Sequence, residues 1–194
     1  MHVLELLLRL RQVCCHPNLL PNTDGYESAK VIFAADMIQT LTDNNHKILV
    51  FSQWTSYLDL IEQKLNDLGL NNLRLDGSTS NREEIVDRFQ NPQSEQILLL
   101  SLKAGGTGLN LTAADHVLIM DPWWNPAAEE QASSRAWRIG QDKPVFVHKL
   151  VAADTIEEKI IQLQEAKRQL SESVTGGDFA EAPVFKEILK PLEQ

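Results

Sequence analysis

The chain has 194 residues, 43% of them hydrophobic and 23% charged, with 9 Gly, 8 Pro and 2 Cys. That length suits one globular domain with an appendage and a core that needs no staples, and the near-average composition excludes disordered, collagen-like and coiled-coil classes. Net charge is −9, from 18 basic and 27 acidic side chains, so any nucleic-acid contact has to use backbone amides and hydroxyls or a basic partner.

The acidic excess is spread along the chain. Residues 154–194 hold 5 basic and 9 acidic side chains and supply −4, which leaves −5 for the first 153. The longest apolar runs, such as Gln96–Leu100, are strand-sized and far short of the ~20 residues that cross a bilayer. Cys14 and Cys15 are adjacent and make no disulfide framework. With no charged-then-apolar leader at the start, the expectation is a reducing compartment, cytoplasmic (a bacterial nucleoid) or nuclear, and not secretion or a membrane.

Leu4, Leu7, Leu8, Arg11 and Cys14 follow helical spacing from Val3, and His16-Pro17 ends that helix. Pro21–Tyr26 reads as loop. Ser28–Leu41 is a second helix with Val31, Ala34, Ala35, Ile38 and Leu41 on its apolar face. Ile48–Phe51 is a continuous apolar run, which marks a strand buried on both faces. The next helix opens on the capping pair Ser56 and Asp59 and stops at Gly69. Leu73–Leu75 is a strand, and Asn81 with Glu84 opens the helix that carries Ile85, Val86 and Phe89. Ile97–Leu100 and Val117–Met120 are strands separated by a glycine-rich loop and a short helical segment. Pro126–Trp137 is helical and Val145–Leu150 is a fifth strand. Asp154 caps a long helix striped by Ile156, Ile160, Leu163, Lys167 and Leu170.

Strands alternating with helices over short links give an α/β fold with a parallel sheet wrapped by helices. Ligands in such sheets sit at the carboxyl ends of the strands. The loops there are Ser52–Trp54, Asp76–Thr79, Ser101–Gly108 and Asp121–Asn125, the polar, glycine-rich and tryptophan-rich parts of the sequence.

Three glycines in Ser101–Leu111 let a backbone approach an anion closely, or serve a strand-to-helix turn that needs unusual backbone angles. No Lys-Ser or Lys-Thr follows them and GxGxxG spacing is absent, so the loop is neither a Walker loop nor a dinucleotide fingerprint. Arg135 and Arg138 share one face of a helix ended by Gly140, and two rigid guanidinium forks held together make a phosphate clamp. The alternative is a solvated basic face paired with Glu129 and Glu130. Gly77, Ser78 and Thr79 form a turn able to hold a phosphate without formal charge, although a helix cap looks the same. Trp123 and Trp124, half of the 4 Trp, can stack on a base or a partner or pack in the core. Cys14-Cys15-His16 lacks a second ligand cluster at zinc spacing, so no metal site is expected. His2, His46, His116 and His148 are scattered along the chain.

In order and spacing these segments resemble the second RecA-like lobe of the SWI/SNF-type ATPases among the superfamily-two helicases. The match runs from Leu10-Arg11-Gln12-Val13-Cys14-Cys15-His16-Pro17 to about Lys167. Lys47–Trp54 is similar to that family's motif IV, Leu73–Thr79 to its following DNA-contacting segment, Leu99–Leu111 to motif V and Gln131–Gln141 to motif VI. Ser134 stands where the family commonly has Asp and Trp137 where it has His. The Trp-Trp-Asn-Pro wording points to the bacterial or repair-type branch.

The resemblance implies a helical lead-in from the inter-lobe region (1–44), a RecA-like lobe (45–153), a brace helix (154–175) and a tail (176–194). It implies Arg135 and Arg138 as arginine fingers, Gln131 as an aid to orienting the triphosphate, and Gly106, Gly108 and Asn110 as contacts that couple nucleotide to DNA. Ser52, Gln53, Gly77, Ser78, Thr79, Lys103 and Gly105 would line the DNA track, and Trp123 and Trp124 are further candidates for binding DNA. The expected partners are double-stranded DNA and a first RecA-like lobe in cis or trans. ATP and Mg²⁺ would be held mainly by that first lobe. A protein partner could dock on the Trp123-Trp124 loop or the acidic C-terminal region. No GxxxxGK[ST] or DExH-like box occurs in the 194 residues, so the parent is expected to be a DNA-dependent ATPase and this chain alone inactive. The alternatives are an RNA-helicase lobe, a non-catalytic docking module, and a small nucleotide-binding enzyme built on the Gly105-Gly106 loop.

Overall fold

Five short strands, β1 (Ile48–Ser52), β2 (Asn72–Leu75), β3 (Ile97–Ser101), β4 (His116–Ile119) and β5 (Phe146–Lys149), form one parallel sheet in the order β2-β3-β1-β4-β5. The computed structural model describes residues 3–23, 25–105, 109–134 and 144–173. The three inner strands β3, β1 and β4 are buried along their whole lengths. This is the reason their sequences are unbroken apolar runs: each is covered on both faces. Edge strand β5 is largely exposed.

Alternation along the strands divides the core in two. Val50, Leu99 and Leu118 face helices α2 (Ala29–Asp43) and α3 (Thr55–Asp67) through Ile38, Tyr57, Leu58, Ile61 and Leu65. Leu49, Phe51, Leu98, Leu100, Val117 and Ile119 face the other way, onto Phe89 of α4 (Arg82–Gln90) and onto Leu111 and Ala114.

Three local expectations change. Helix α1 (Val3–Cys15) buries Leu7, Arg11 and Cys15, whereas Leu4 and Leu8 face outward. The buried row thus sits at i, i+4 and i+8. Helix α3 has Trp54 at its N-cap with no side-chain cap bond. Asp59 instead pairs with Arg74 at 2.6 Å, and the entry turn is held by Ser52, whose Oγ accepts the Trp54 N–H at 3.1 Å. Asp154 does not cap α7 (Ile156–Ser173): it takes a left-handed φ of 58° in the approach, and the Thr155 hydroxyl accepts the Glu157 N–H at 3.2 Å. Helix α6 spans Pro126–Ser133, and the remainder of the helix expected to Trp137 lies outside the described residues, as does the tail from 174.

Helix α7 is tied to the body by two buried carboxylates. Its Glu157 pairs with Lys30 of α2 and accepts the Ala152 N–H at 2.8 Å. Its Gln164 donates to Glu129 of α6 at 2.8 Å and to the Trp123 carbonyl. Glu129 also accepts the Trp123 N–H at 2.6 Å and pairs with Lys149 of β5. The loop after β4 is therefore fastened to both α6 and α7. Among the described residues no helix is long and apolar enough to cross a membrane.

Candidate functional site

The apolar strands end in a row of buried polar residues: Asp76 after β2, Ser101 at the end of β3, Ser52 at the end of β1 and Asp121 after β4. Ser52 and Ser101 are register partners. Buried polar groups need partners, and here each takes a loop amide. Ser52 accepts the Trp54 N–H, Ser101 the Ala104 N–H at 3.2 Å, Asp76 the Ser78 N–H at 2.9 Å and Asp121 the Gln53 N–H at 3.3 Å. One device, repeated across the sheet, fixes how each loop leaves the carboxyl edge.

The row is best developed around Asp121, which is 1% exposed. Burial raises its carboxyl to about 6 against the hydrogen bonds of Ser52 and Gln53 and the charge of Arg11, all of which favour ionisation. Arg11 is 5% exposed. Its guanidinium lies 5.2 Å from the Trp54 ring centre and 5.4 Å from that of Trp124, and its Nη2 donates to the Pro122 carbonyl at 2.8 Å. Desolvation lowers its own pKa while Asp121 works in the opposite direction. A buried cation near two indole rings, with a buried carboxyl within its electrostatic reach, forms a box that joins α1 to the loops after β1 and β4.

Ser52 belongs to that box. It is fully buried, its hydroxyl bound to Asp121 and Trp54, so it positions the loop and is not itself open to a strand of DNA. Gln53 is half-buried, and among the described residues its Nε2 has no hydrogen-bond partner. Gly77 and Ser78 are exposed and Thr79 half-buried. The turn is locked from below by Asp76, which also accepts the Ser78 hydroxyl at 2.6 Å and Arg74 Nε at 2.9 Å. The Ser78 bond is the first cause of the lowered Asp76 pKa. Thr79 Oγ accepts the Asp76 N–H at 3.0 Å, which leaves its hydroxyl hydrogen for an outside acceptor. Open space surrounds the Cα of Gly77.

Lys103 and Gly105 lie in the short helix α5 (Leu102–Gly105) that leaves β3. Asn110 is exposed beyond it, and Gln131 is exposed on α6. Trp123 packs, partly buried, against the core and Trp124 lies against Arg11. Gly106, Gly108, Arg135 and Arg138 lie outside the described residues. Glu129, weighed above as a partner for those arginines, is buried and bound to Trp123, Gln164 and Lys149.

The sequence also held residues that spacing alone did not single out. Arg82, at the start of α4, donates to the Ala104 carbonyl at 2.6 Å beside the glycine loop. Arg11 had a signal, as a charge on an otherwise apolar helix stripe.

Comparison with known proteins places the chain in a class. Residues 29–140 match the helicase conserved C-terminal domain, and the chain belongs to that family as the C-terminal helicase domain of a SWI2/SNF2-type ATPase. It is 47% identical over 148 residues to the DNA repair protein RAD5B of Arabidopsis thaliana, which covers 74% of this chain and 12% of that protein. It is 38% identical over 194 residues to the DNA repair and recombination protein RAD54 of Saccharomyces cerevisiae, covering 85% of this chain and 22% of that one. The fold matches the Sulfolobus solfataricus SWI2/SNF2 ATPase core in complex with double-stranded DNA with a TM-score of 0.71 and 38% identity, over 87% of this chain and 36% of the other. The chain thus spans a minor part of the length of each relative.

Proposed function

We propose that this chain is the second motor lobe of an ATP-driven double-stranded-DNA translocase, with residues 1–44 leading in from between the lobes and α7 as a brace. The observation that carries the reading is the single carboxyl edge from which the Gln53, Gly77–Thr79 and Leu102–Gly105 segments all leave, in a chain whose 38% identical relative was solved on duplex DNA. Gln53, Gly77, Ser78, Thr79, Lys103 and Gly105 contact the phosphates of one strand, with Ser52, Asp76 and Ser101 holding those loops in place. Such contacts are independent of base sequence and sensitive to salt. The acidic net charge leaves this piece alone with weak DNA affinity.

Arg135 and Arg138 act as arginine fingers on a triphosphate held by a first lobe, and Gln131, exposed on α6, helps orient it. Gly106, Gly108 and Asn110 link that event to the DNA track. ATP with Mg²⁺, held mainly by the first lobe, would supply the phosphoryl-transfer chemistry. Trp123 and Trp124 serve the edge by packing, since one lies against the core and the other against Arg11.

The test is ATP turnover by this chain combined with a first lobe of the same family, with and without duplex DNA. Turnover is expected to need both lobes and to rise with duplex DNA. Arg138→Ala is expected to lower it by roughly 10³-fold or more, the scale of an arginine finger. Turnover unchanged by Arg138→Ala, or turnover by the lone chain, would reject the reading.

A further inference from the structure

Three histidines and an aspartate that the motor reading leaves unused meet at the opposite, amino end of the sheet. His46 precedes β1, Asp115 precedes β4, His116 opens β4 and His148 lies in β5. The parallel register sets Ile48 beside His116 and His116 beside Phe146, so the starts of three strands share one corner. One ligand atom from each of His46, Asp115 and His116 lies within 4.8 Å of the other two. His46 Nδ1 is 2.8 Å from Asp115 Oδ2, and the His46 and His116 rings meet edge-on at 4.6 Å. Asp115 Oδ1 accepts the Lys47 N–H at 3.1 Å, which aims the carboxylate. His148 Nε2 is 3.0 Å from His116 Nδ1, which fixes the orientation of the His116 ring. The rise along β4 puts this corner roughly 16 Å from Asp121.

We propose that the corner is a divalent transition-metal site, with His46, Asp115 and His116 as ligands, His148 as the residue orienting His116, and Zn²⁺ as the ion. Two imidazoles and a carboxylate are a donor set that zinc accepts, with water as fourth ligand. Ligand bonds of about 2.0–2.2 Å in a tetrahedron hold donor atoms roughly 3.3 Å apart. The three donors therefore close by at most about 1.5 Å, and the part-exposed His46 side chain, at 37%, has the freedom to swing in. Asp115 and His116 are already fixed by the sheet. A hydrogen bond from one ligand's second nitrogen to a fixed neighbour, as His148 provides, is the usual support for a metal-bound histidine.

Titration calorimetry of the untagged, chelator-stripped chain with ZnCl₂ is expected to show one ion per chain and a rise in Tm that chelator reverses. Co²⁺ is expected to give visible d–d bands without thiolate charge-transfer absorption, which separates this corner from Cys14-Cys15. His148→Phe should weaken zinc roughly 10- to 100-fold, and His116→Asn and His46→Ala by more than that. His46→Ala decides the matter if the buried His116→Asn does not fold. No saturable zinc binding, thiolate bands with Co²⁺, or unchanged affinity in His46→Ala would each overturn the site.

Discussion

The two ends of this sheet use polar residues in opposite ways. At the carboxyl end, Asp76, Ser101, Ser52 and Asp121 are buried and turned to loop amides, so their work is to hold exposed segments in fixed positions. At the amino end, Lys47 caps α4 by donating to the carbonyls of Phe89, Asn91 and Glu95 at 2.6, 2.8 and 3.1 Å. The histidine corner beside it ties the start of β1 to β4 and β5. On the proposed motor reading the first arrangement supports the surface that would meet DNA, whereas the second joins the starts of the strands to the end of α4. Damage at the carboxyl end should therefore reach both stability and DNA-stimulated turnover, whereas damage to the Lys47 cap should reach stability alone.

Arg11→Ala breaks the carboxyl end most severely. It leaves the Asp121 carboxylate buried without its cation, removes the stack between Trp54 and Trp124, and frees the Pro122 carbonyl. Loss of a buried cation–π stack together with the donor to a buried carbonyl costs about 2–4 kcal/mol, readable as a fall in the urea midpoint. Arg11→Lys keeps the charge but not the flat stack and should recover part of the loss. DNA-stimulated turnover in the two-lobe assay should fall in both variants, because the loops after β1 and β4 lose their common anchor. An Arg11→Ala protein as stable as the original would refute the box.

The Asp121 carboxyl sharpens the same point through pH. Its value is about 6 in the folded chain against an ordinary 3.8, so the folded form holds the proton more tightly than the unfolded one. The stabilisation from the protonated group is complete below about pH 3.8 and gone above about pH 6. Across that window stability attributable to this residue should fall as pH rises, by up to about 3 kcal/mol. Urea midpoints of the wild type and Asp121→Asn, measured from pH 4 to 7, isolate that slope. The same slope in both proteins would show that Asp121 is not its source.

The strands were legible because inner parallel strands must be apolar on both faces, and Ile48–Phe51, Ile97–Leu100 and Val117–Met120 are. The polar edge was half legible. Loops at strand ends are where such folds bind ligands, yet nothing in the spacing of Ser52 told that its hydroxyl turns down to Asp121 instead of outward. Ser56 and Asp59 have the spacing of a cap but the chain's entry angle sends Asp59 to Arg74. The histidine corner was not legible at all. His46, Asp115-His116 and His148 are drawn together only by the register of three strands, which local pattern does not encode.

Lys47→Met gives the comparison its finest test, because it keeps the side chain's apolar stem and removes only the ammonium. Lys47 is buried, and desolvation lowers its pKa. Its three carbonyl partners lie at the end of α4 and in the link to β3, far from the Gly77–Thr79 turn at the other end of β2. Three acceptors that lose their donor, some of them able to reach water, should cost about 2 kcal/mol. The urea midpoint falls accordingly. Turnover per folded molecule and its stimulation by duplex DNA should stay at wild-type levels, since no loop of the carboxyl edge depends on these bonds. A Lys47→Met chain that lost DNA stimulation while remaining folded would mean that the two ends are mechanically coupled through β1, and the separation of roles drawn between them would fail.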